Sequence, residues 1–467
     1  MRHTKFALAA MALAVLAGCG GTDPAPGNQS TKIKYSAQVS FGDSLSDVGS
    51  YAVGTVAALK GGKFTINGDN TSVNPTFTGK NWTELLAAQI GAAAPCAAVT
   101  GLDGNAAQGF SVAAKANPGC YGYAMGGSRV TNPVGPNHKL TGSALGALTY
   151  PVATQIANHL KAAGGKFKGD ELVLVMAGGN DALFQLGALS TAATNAGTTA
   201  GAAAGAKAYV ASLIGQLAAK ATDPASAAAA ITAAVGAESV RPGSTQESIT
   251  FVAIGAAAVQ PGAISVADAA VYGPMTVKAK ADATTAGTAA GAKAGAEYAA
   301  AHGPELITAM GQAGAELVAL VKTQLIANGA NYVVVNNLPD VATTPAGRSK
   351  DAGTQALINA MVSAFNTALT NGLASESKVV LVDVFAVSHD QATNPGPYGL
   401  TNVADTACDL DNKTKNPLGS SLTCNGSNLK SGDVSHWSFA DDVHPTPYNN
   451  LLLARYVSMA LVTKGWL

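Results

Sequence analysis

Short apolar runs alternate along the chain with longer segments of helical periodicity. The runs are rich in β-branched residues and predict strands: SAQVSF before Gly42, ELVLVMAG before Gly179, ITFVAIG near 250, ANYVVVNNLP near 335 and SKVVLVDVFA near 380. Apolar spacings of three and four predict helices in TELLAAQIGAA, VATQIANHLKAAG, GAELVALVKTQLIANGA, QALINAMVSAFNTALTNGLA and NNLLLARYVSMALVTKGWL. This alternation indicates an α/β fold with a mainly parallel sheet that is covered on both faces.

The stretch from 188 to 303 has a different pattern. ATNAGTTAGAAAGAKAY at 193–209 and ATTAGTAAGAKAGAEY at 283–298 look like two copies of one Ala/Gly/Thr-rich unit. Alanine favours helix, whereas each interior glycine costs about 1 kcal/mol, so we expect loosely packed helices rather than disorder. We interpret the stretch as an insertion whose small-residue faces either let helices approach closely or form a lid over a site.

The N-terminus has the layout of a secretory signal. Basic residues precede an apolar run from Phe6 to Leu16, which is too short for a stable transmembrane helix. LAGC, ending at Cys19, resembles the bacterial lipobox, which implies cleavage before Cys19 and acylation of its thiol; an ordinary signal peptide is the alternative. We predict an exported bacterial protein, anchored in the outer membrane or secreted, with a signal peptide at 1–18 and a flexible tether at 19–34.

Charge and cysteine content narrow the function classes. Lys plus Arg and Asp plus Glu both number 28, so the formal net charge is zero, and no basic block suggests a nucleic-acid partner. Besides Cys19, four cysteines remain, which indicates two disulfides with three possible pairings, free buried thiols being the alternative. We favour Cys96–Cys120 and Cys408–Cys424 because each closes a short local loop. Neither pair has the spacing of a zinc site.

A serine in the stretch VSFGDSLSDVGSY follows the first predicted strand. Ser44 is either part of an ordinary polar loop or a nucleophile presented at the end of the sheet. Acyl transfer also needs a base, a group that orients the base, and donors where the oxyanion develops. Backbone N–H groups in YGYAMGGSRV and the side chain of Asn180 in MAGGNDAL are candidate donors.

The stretch WSFADDVHPTPYNN holds the candidate base. Asp441 and His444 are three residues apart, so a carboxylate can meet the imidazole Nδ1–H and leave Nε2 for a serine hydroxyl. Alone this spacing is weak, because an isolated histidine in a Pro-rich loop is more often a surface or packing residue. Asp442 is expected to point elsewhere as a loop or cap residue.

The motifs FGDSLSDVG, YAMGGS, GGND and DDVHPT occur in this order and together resemble the GDSL esterases and lipases of the SGNH hydrolase superfamily. NLPDVATTP at 337–345 is similar to a segment common in that family. The resemblance implies a three-layer α/β/α, flavodoxin-like hydrolase domain formed by 35–187 and 304–467, interrupted by the insertion at 188–303. The sequence departs from the family in DVGS, where many relatives have Asn after Gly, and in the length of that insertion.

The resemblance also implies a role for each motif residue. Ser44 would be the nucleophile, His444 the general base, and Asp441 the residue that fixes the imidazole tautomer. The implied oxyanion donors are the N–H of Ser44, the N–H of Gly127 or otherwise Gly126, and the side-chain amide of Asn180. The implied supports are Asp47, as a cap of the helix after the nucleophile, and Asp43 and Asp181, as braces of loops.

The sequence therefore predicts a serine hydrolase that cleaves carboxylic esters through an acyl-serine, without a metal or an organic cofactor. We expect a small-molecule or lipid ester as substrate, membrane contact through a lipidated Cys19, no nucleic acid, and a monomer. One alternative is a carbohydrate acetyl-esterase, because the superfamily resemblance also covers enzymes that act on sugar acetates. The other is a surface lipoprotein that has kept the fold without turnover.

Overall fold

The computed structural model describes residues 33–467. The predicted signal peptide at 1–18, Cys19 and nearly all of the tether at 19–34 lie outside the described residues, so those features stay predictions. Within the described part, the helices are too short or too polar for any of them to cross a membrane. The chain divides into two compact units: one combines the residues up to Asp181 with Met310–Leu467, and the other is Ala182–Ala309.

The elements follow the chain in this order. The strands are β1 (Gln38–Gly42), β2 (Val99–Asp103), β3 (Ser111–Ala116), β4 (Leu172–Met176), β5 (Tyr332–Asn336), β6 (Val379–Val382), β7 (Asn402–Thr406) and β8 (Trp437–Phe439). The α-helices are α1 (Gly54–Ala58), α2 (Trp82–Gln89), α3 (Val152–Ala162), α4 (Gly179–Ala218), α5 (Pro224–Ser239), α6 (Gln246–Ala258), α7 (Ala269–Leu320), α8 (Pro345–Arg348), α9 (Ala352–Leu373), α10 (Val384–Thr393) and α11 (Pro447–Lys464). A π-helical segment, Val321–Ile326, continues α7.

The main sheet is parallel, with strand order β1-β4-β5-β6. At the free edge of β1, Gly122 forms a parallel bridge with Ser40, so the segment before YAMGGS takes a fifth position in the sheet. The Gly122 segment therefore lies on one side of β1, and β4, β5 and β6 follow on the other side. This is the flavodoxin-like order, in which ligands bind at the carboxyl ends of the strands where the order reverses.

Both faces of this sheet are buried, which is why its strands are mainly apolar. On one face, Leu172, Leu174 and Met176 of β4 share a core with α2 and α11. On the other face, α3 packs on β1, where the His159 and Phe41 rings lie 5.8 Å apart. Helices on both faces make three layers, so the predicted α/β/α fold with a mainly parallel sheet is confirmed.

The loops around the sheet are closed by both predicted disulfides, Cys96–Cys120 and Cys408–Cys424. The first joins the chain before β2 to the edge segment beside β1, where Gly122 N–H donates to the carbonyl of Cys96. The second closes a loop between β7 and β8. The local pairing expected from the cysteine spacing is therefore the observed one.

One predicted strand is wrong. ITFVAIG lies inside α6, which begins at a capping box formed by Thr245 and Ser248. Its buried residues, Ala253, Ile254 and Ala257, recur at helical spacing and pack in the core of the Ala182–Ala309 unit. A short β-branched run favours a strand locally, but the cap and the following alanines favour helix, and burial of the helical face decides between them.

The two Ala/Gly/Thr-rich copies form parts of the long helices α4 and α7. A Cβ added at Gly201 would lie 2.8 Å from the carbonyl oxygen of Gly287, and one added at Gly291 would lie 2.9 Å from that of Gly197. No side chain fits at these distances, so the repeated glycines let the two backbones approach closely. Of the two alternatives for these faces, close helix approach is the one observed.

We expect Gly201→Ala to lower the free energy of unfolding of this unit by about 1–3 kcal/mol, because the added methyl forces the two helix backbones apart. Gly215→Ala is the matched control in the same helix, since Gly215 is exposed and a Cβ there meets nothing within 4 Å. It should be neutral or stabilising by up to about 1 kcal/mol. Urea unfolding followed by far-UV circular dichroism measures both, and equal effects would argue against the glycine contact.

A buried histidine lies behind β1 and has no hydrogen-bond partner among the described residues. His159 of α3 is almost fully buried, and neither ring nitrogen has a donor or acceptor. The rings that surround it are Phe41, Tyr121, Tyr123 and Phe167. Burial lowers the pKa of His159 from 6.5 to about 4, and the charge of Lys168 adds to the decrease. The imidazole is therefore neutral in the fold at neutral pH.

A histidine whose pKa falls on folding contributes stability above its unfolded pKa of about 6.5 and loses it as the pH falls toward 4. By about pH 4.5 the loss is about 2.5 kcal/mol. His159→Leu should remove this part of the acid sensitivity in urea unfolding at about pH 7.5 and 4.5. Ile156→Val on the same helix should cost about 1 kcal/mol equally at both pH values. Unchanged acid sensitivity in His159→Leu would exclude His159 as the source.

Candidate active site

Ser44 is presented at the carboxyl edge of the sheet because β1 ends in a glycine. Gly42 has a φ of +148°, and a Cβ there would overlap the carbonyl of Met176 in the neighbouring strand β4. The side chain of Gln155 on α3 accepts the Gly42 N–H at 2.8 Å and donates to its carbonyl at 2.7 Å. The chain turns here, and Ser44 follows with its side chain half-buried.

Ser44, His444 and Asp441 form a continuous line of hydrogen bonds. His444 Nε2 lies 2.8 Å from Ser44 Oγ. On the other side of the ring, His444 Nδ1 lies 2.7 Å and 2.9 Å from the two carboxylate oxygens of Asp441. The three residues that the sequence indicated for a triad are thus brought together, although Ser44 and His444 are 400 positions apart.

The charges of Asp441 and His444 favour an ion pair between the two side chains. Burial alone would raise the pKa of Asp441, but the charge of His444, its hydrogen bond and the N–H of Ser421 outweigh burial and hold that pKa well below its usual range. Burial alone would lower the pKa of His444, but the charge and hydrogen bond of Asp441 outweigh it and raise that pKa. Asp43 and Asp442 add smaller contributions in the same direction.

Asp441 is held by a support that the sequence did not indicate. Ser421 donates its N–H to Asp441 Oδ2 at 2.9 Å, and the N–H groups of Val443 and His444 donate to Oδ1. Ser421 begins the short 3-10 turn that ends just before Cys424, so the Cys408–Cys424 loop lies against the carboxylate. No motif marks Ser421, because the contact depends on how that loop folds back.

The two glycines of MGGS differ in their hydrogen bonds. Gly126 donates its N–H to Asp47 Oδ2 at 2.9 Å, so that group is already used. Gly127 has a φ of +79°, and its N–H has no acceptor within residues 33–467. The N–H of Ser44 also has no acceptor in this part of the chain. The side chain of Asn180 donates to the carbonyl of Ser128 at 2.9 Å, which leaves its second N–H unpaired there.

Asp47 does not cap a helix after the nucleophile, because the chain from Ser44 continues in turns and α1 begins only at Gly54. Its buried carboxylate instead accepts the N–H groups of Gly49 and Ser50 as well as that of Gly126. Burial raises the pKa of Asp47, and these hydrogen bonds oppose the increase. One carboxylate thereby ties the serine turn to MGGS.

Two other aspartates lie in the segments that follow β1 and β4. Asp181 accepts from Arg129 Nε at 2.9 Å and from the N–H of Val130 at 3.0 Å, which joins GGND to the chain after MGGS. Asp43 accepts the N–H of Leu45 at 3.0 Å. Burial raises the pKa of Asp43 to about 7, although the Leu45 N–H and the charge of His444 lower it. These hydrogen bonds brace the segments that follow β1 and β4.

Two further observations complete the site. Phe64, in the loop between α1 and α2, lies with its ring centroid 4.9 Å from that of His444. No sequence signal marked it, because an apolar residue in a loop has no periodic pattern.

Among residues 33–467, no three His, Cys, Asp or Glu side chains group closely enough to hold a metal ion.

Comparison with known proteins gives two matches. Residues 284–457 match the family model of the GDSL-like Lipase/Acylhydrolase. A GDSL esterase/lipase, APG, of Arabidopsis thaliana is 27% identical over 154 residues, which cover 31% of this chain and 41% of that protein. The family match includes Asp441 and His444 and begins after Ser44, Gly127 and Asn180. It confirms the resemblance that the sequence motifs indicated.

We expect NMR titration of the His444 imidazole to give a pKa above the ordinary value for histidine, because the Asp441 carboxylate favours the charged ring. Asp441→Asn should lower that pKa, since it removes the nearest negative charge and leaves burial opposed only by the smaller contributions of Asp43 and Asp442. Asp442→Asn is the matched control: its carboxylate is adjacent in sequence but contributes least, so the decrease should be smaller. An equal decrease of the His444 pKa in both variants would contradict the hydrogen-bonded pairing of His444 with Asp441.

Proposed function

We propose that this chain, which carries a GDSL lipase/acylhydrolase domain at residues 284–457, is a serine hydrolase that cleaves carboxylic esters. The family match supports a hydrolase of the esterase/lipase type. The observation that carries the finer proposal is the hydrogen-bonded line from Ser44 Oγ through His444 to Asp441 at the carboxyl edge of the sheet. The chemistry of these two hydrogen bonds suggests a role for each of the three residues.

In the first half of the reaction, Ser44 Oγ attacks the ester carbonyl carbon while its proton passes to His444 Nε2. Asp441 keeps the other ring proton on Nδ1 and stabilises the imidazolium that forms, which agrees with the raised pKa of His444. When the tetrahedral intermediate collapses, the bond to the alcohol oxygen breaks and His444 gives its proton to that oxygen. The alcohol leaves, and the acyl group stays on Ser44.

The negative charge on the carbonyl oxygen needs donors that are not already used. We assign the N–H groups of Ser44 and Gly127 and the unpaired side-chain N–H of Asn180, because each lacks an acceptor among the described residues. Gly126 is excluded by its hydrogen bond to Asp47. The three donors come from segments that follow β1, the edge segment and β4, so they lie at the same edge of the sheet.

In the second half, a water molecule replaces the alcohol. His444 takes a proton from this water as its oxygen attacks the acyl carbon, and then returns the proton to Ser44 Oγ as the carboxylic acid leaves. The scheme uses no metal or organic cofactor. Small-molecule or lipid esters are the proposed substrates. Export and acylation of Cys19 are proposals from the sequence, and an anchored enzyme would lie beside phospholipid, so a lipid ester deserves an early test.

Hydrolysis of p-nitrophenyl esters from acetyl to palmitoyl, by purified protein without its predicted signal peptide, tests this proposal. We expect turnover that Ser44→Ala abolishes. Asn180→Ala should lower kcat by about 10²–10³, because one oxyanion donor is lost. Asn195→Ala, an exposed position on α4, is the matched control and should keep full activity.

The acyl chain length that gives the highest activity separates an acetyl-esterase from a lipase. Activity on acetyl esters alone would favour a carbohydrate acetyl-esterase, whereas a longer optimum would favour a lipase. If the unmodified protein and Ser44→Ala are equally inactive on every ester while both disulfides are intact, the proposal fails and a non-catalytic surface role takes its place.

A further inference from the structure

Phe64 contacts two parts of the site at once. Its ring centroid lies 4.9 Å from that of His444, with the ring planes tilted by 34°. On another side, a Cβ placed on Gly126 would overlap Cε2 and Cζ of the Phe64 ring, so the ring rests directly on the backbone of MGGS. Tyr51 supports it edge-on at 6.2 Å. One phenyl ring therefore fills the space between the histidine and the glycine turn.

The loop that carries this ring is tied to its surroundings on both sides of Phe64. The Thr65 hydroxyl donates to the carbonyl of Pro445, the residue after His444, at 2.9 Å. Lys63 Nζ pairs with Glu84 at the start of α2, at 3.0 Å. Because these contacts flank Phe64, they hold this part of the loop next to the segment that carries His444.

We infer that Phe64 is a positioning residue for His444, an inference that rests on the proposed function. The imidazole must keep Nε2 on Ser44 and Nδ1 on Asp441, and rotation of its side chain would break both hydrogen bonds. A ring packed against its face opposes that rotation and keeps water away from the bond to Asp441. The face of an aromatic ring also favours a cation, such as the imidazolium that forms during the reaction. Gly126 is glycine because this ring occupies the place of its side chain.

Two other roles for Phe64 give different kinetics. A side chain that only fills the core would change the stability of the fold but not kcat per folded site. A wall of the substrate pocket would change KM, and by different amounts for short and long acyl chains. A positioning residue lowers kcat by the same factor for acetyl and longer esters and leaves KM nearly unchanged.

The first test is a double-mutant cycle between Phe64 and Gly126. Gly126→Ala pushes the ring aside but keeps the N–H that binds Asp47, and Phe64→Ala removes the ring. We expect each single variant to lower kcat about tenfold to a hundredfold. In the double variant the Phe64 ring is gone and only Tyr51 Cε2, 3.0 Å away, stays close to the new methyl. A small shift of the Tyr51 ring relieves that contact, so kcat should stay within about twofold of Phe64→Ala alone. Phe64→Leu should restore part of the loss. The inference would be overturned if the factors by which the two single substitutions lower kcat multiply in the double variant. An effect on KM that depends on acyl chain length would also overturn it.

A second readout does not depend on turnover. The Nδ1 proton between His444 and Asp441 should give a far-downfield proton resonance that is protected from exchange with water, and Phe64→Ala and Gly126→Ala should broaden it. Arg348→Ala, on an exposed side chain of α8, is the control and should leave it unchanged. An unchanged resonance in both site variants would overturn the inference. If the unmodified protein hydrolyses no ester but the resonance depends on Phe64, the proposed function fails while the positioning role stands.

Discussion

The close contact between the end of β1 and β4 is the constraint on which the site depends. Gly42 pairs in register with Met176, and the Met176 carbonyl occupies the space that a side chain at position 42 would need. The two strands therefore end together, and the segments that follow them carry Ser44 and Asn180 to one edge. Parallel pairing with β5 and β6 continues the same edge, and burial of both faces by helices keeps the sheet rigid. Any wider spacing at Gly42 would separate Ser44 from the proposed oxyanion donors.

Buried carboxylates join segments that are far apart in sequence. Asp47 links the serine turn to MGGS, Asp181 links GGND to the chain after MGGS, and Asp441 links the histidine to the disulfide-closed loop at Ser421. Burying a carboxylate is costly, and each of these is compensated by backbone N–H groups or a charged partner. The same contacts decide which N–H groups are used and which are left for a substrate. In this way the supports of the loops also select the proposed oxyanion donors.

The chain keeps its proposed chemistry in one compact unit and its Ala/Gly/Thr-rich segments in the other. All residues of the proposed triad and oxyanion hole belong to the unit formed by the residues up to Asp181 and Met310–Leu467. The Ala182–Ala309 unit has its own core, and glycines of its repeated segments hold α4 and α7 close together. Its sequence pattern predicts helices, but the strand predicted for ITFVAIG is wrong, because a short β-branched run does not distinguish a strand from a half-buried helix.

The sequence by itself determined the elements whose pattern is local. Continuous apolar runs predicted four of the strands in the main sheet, short spacing predicted both disulfides, and the ordered motifs predicted Ser44, Asp441, His444 and Asn180. Tertiary structure decided what depends on contacts between distant segments: which glycine of MGGS keeps an unpaired N–H, why Asp47 accepts N–H groups of turns and does not cap a helix, and how Ser421 contacts Asp441 and Phe64 contacts His444. Such contacts leave no periodic signal, because they depend on where loops meet after the sheet has formed and not on spacing along the chain.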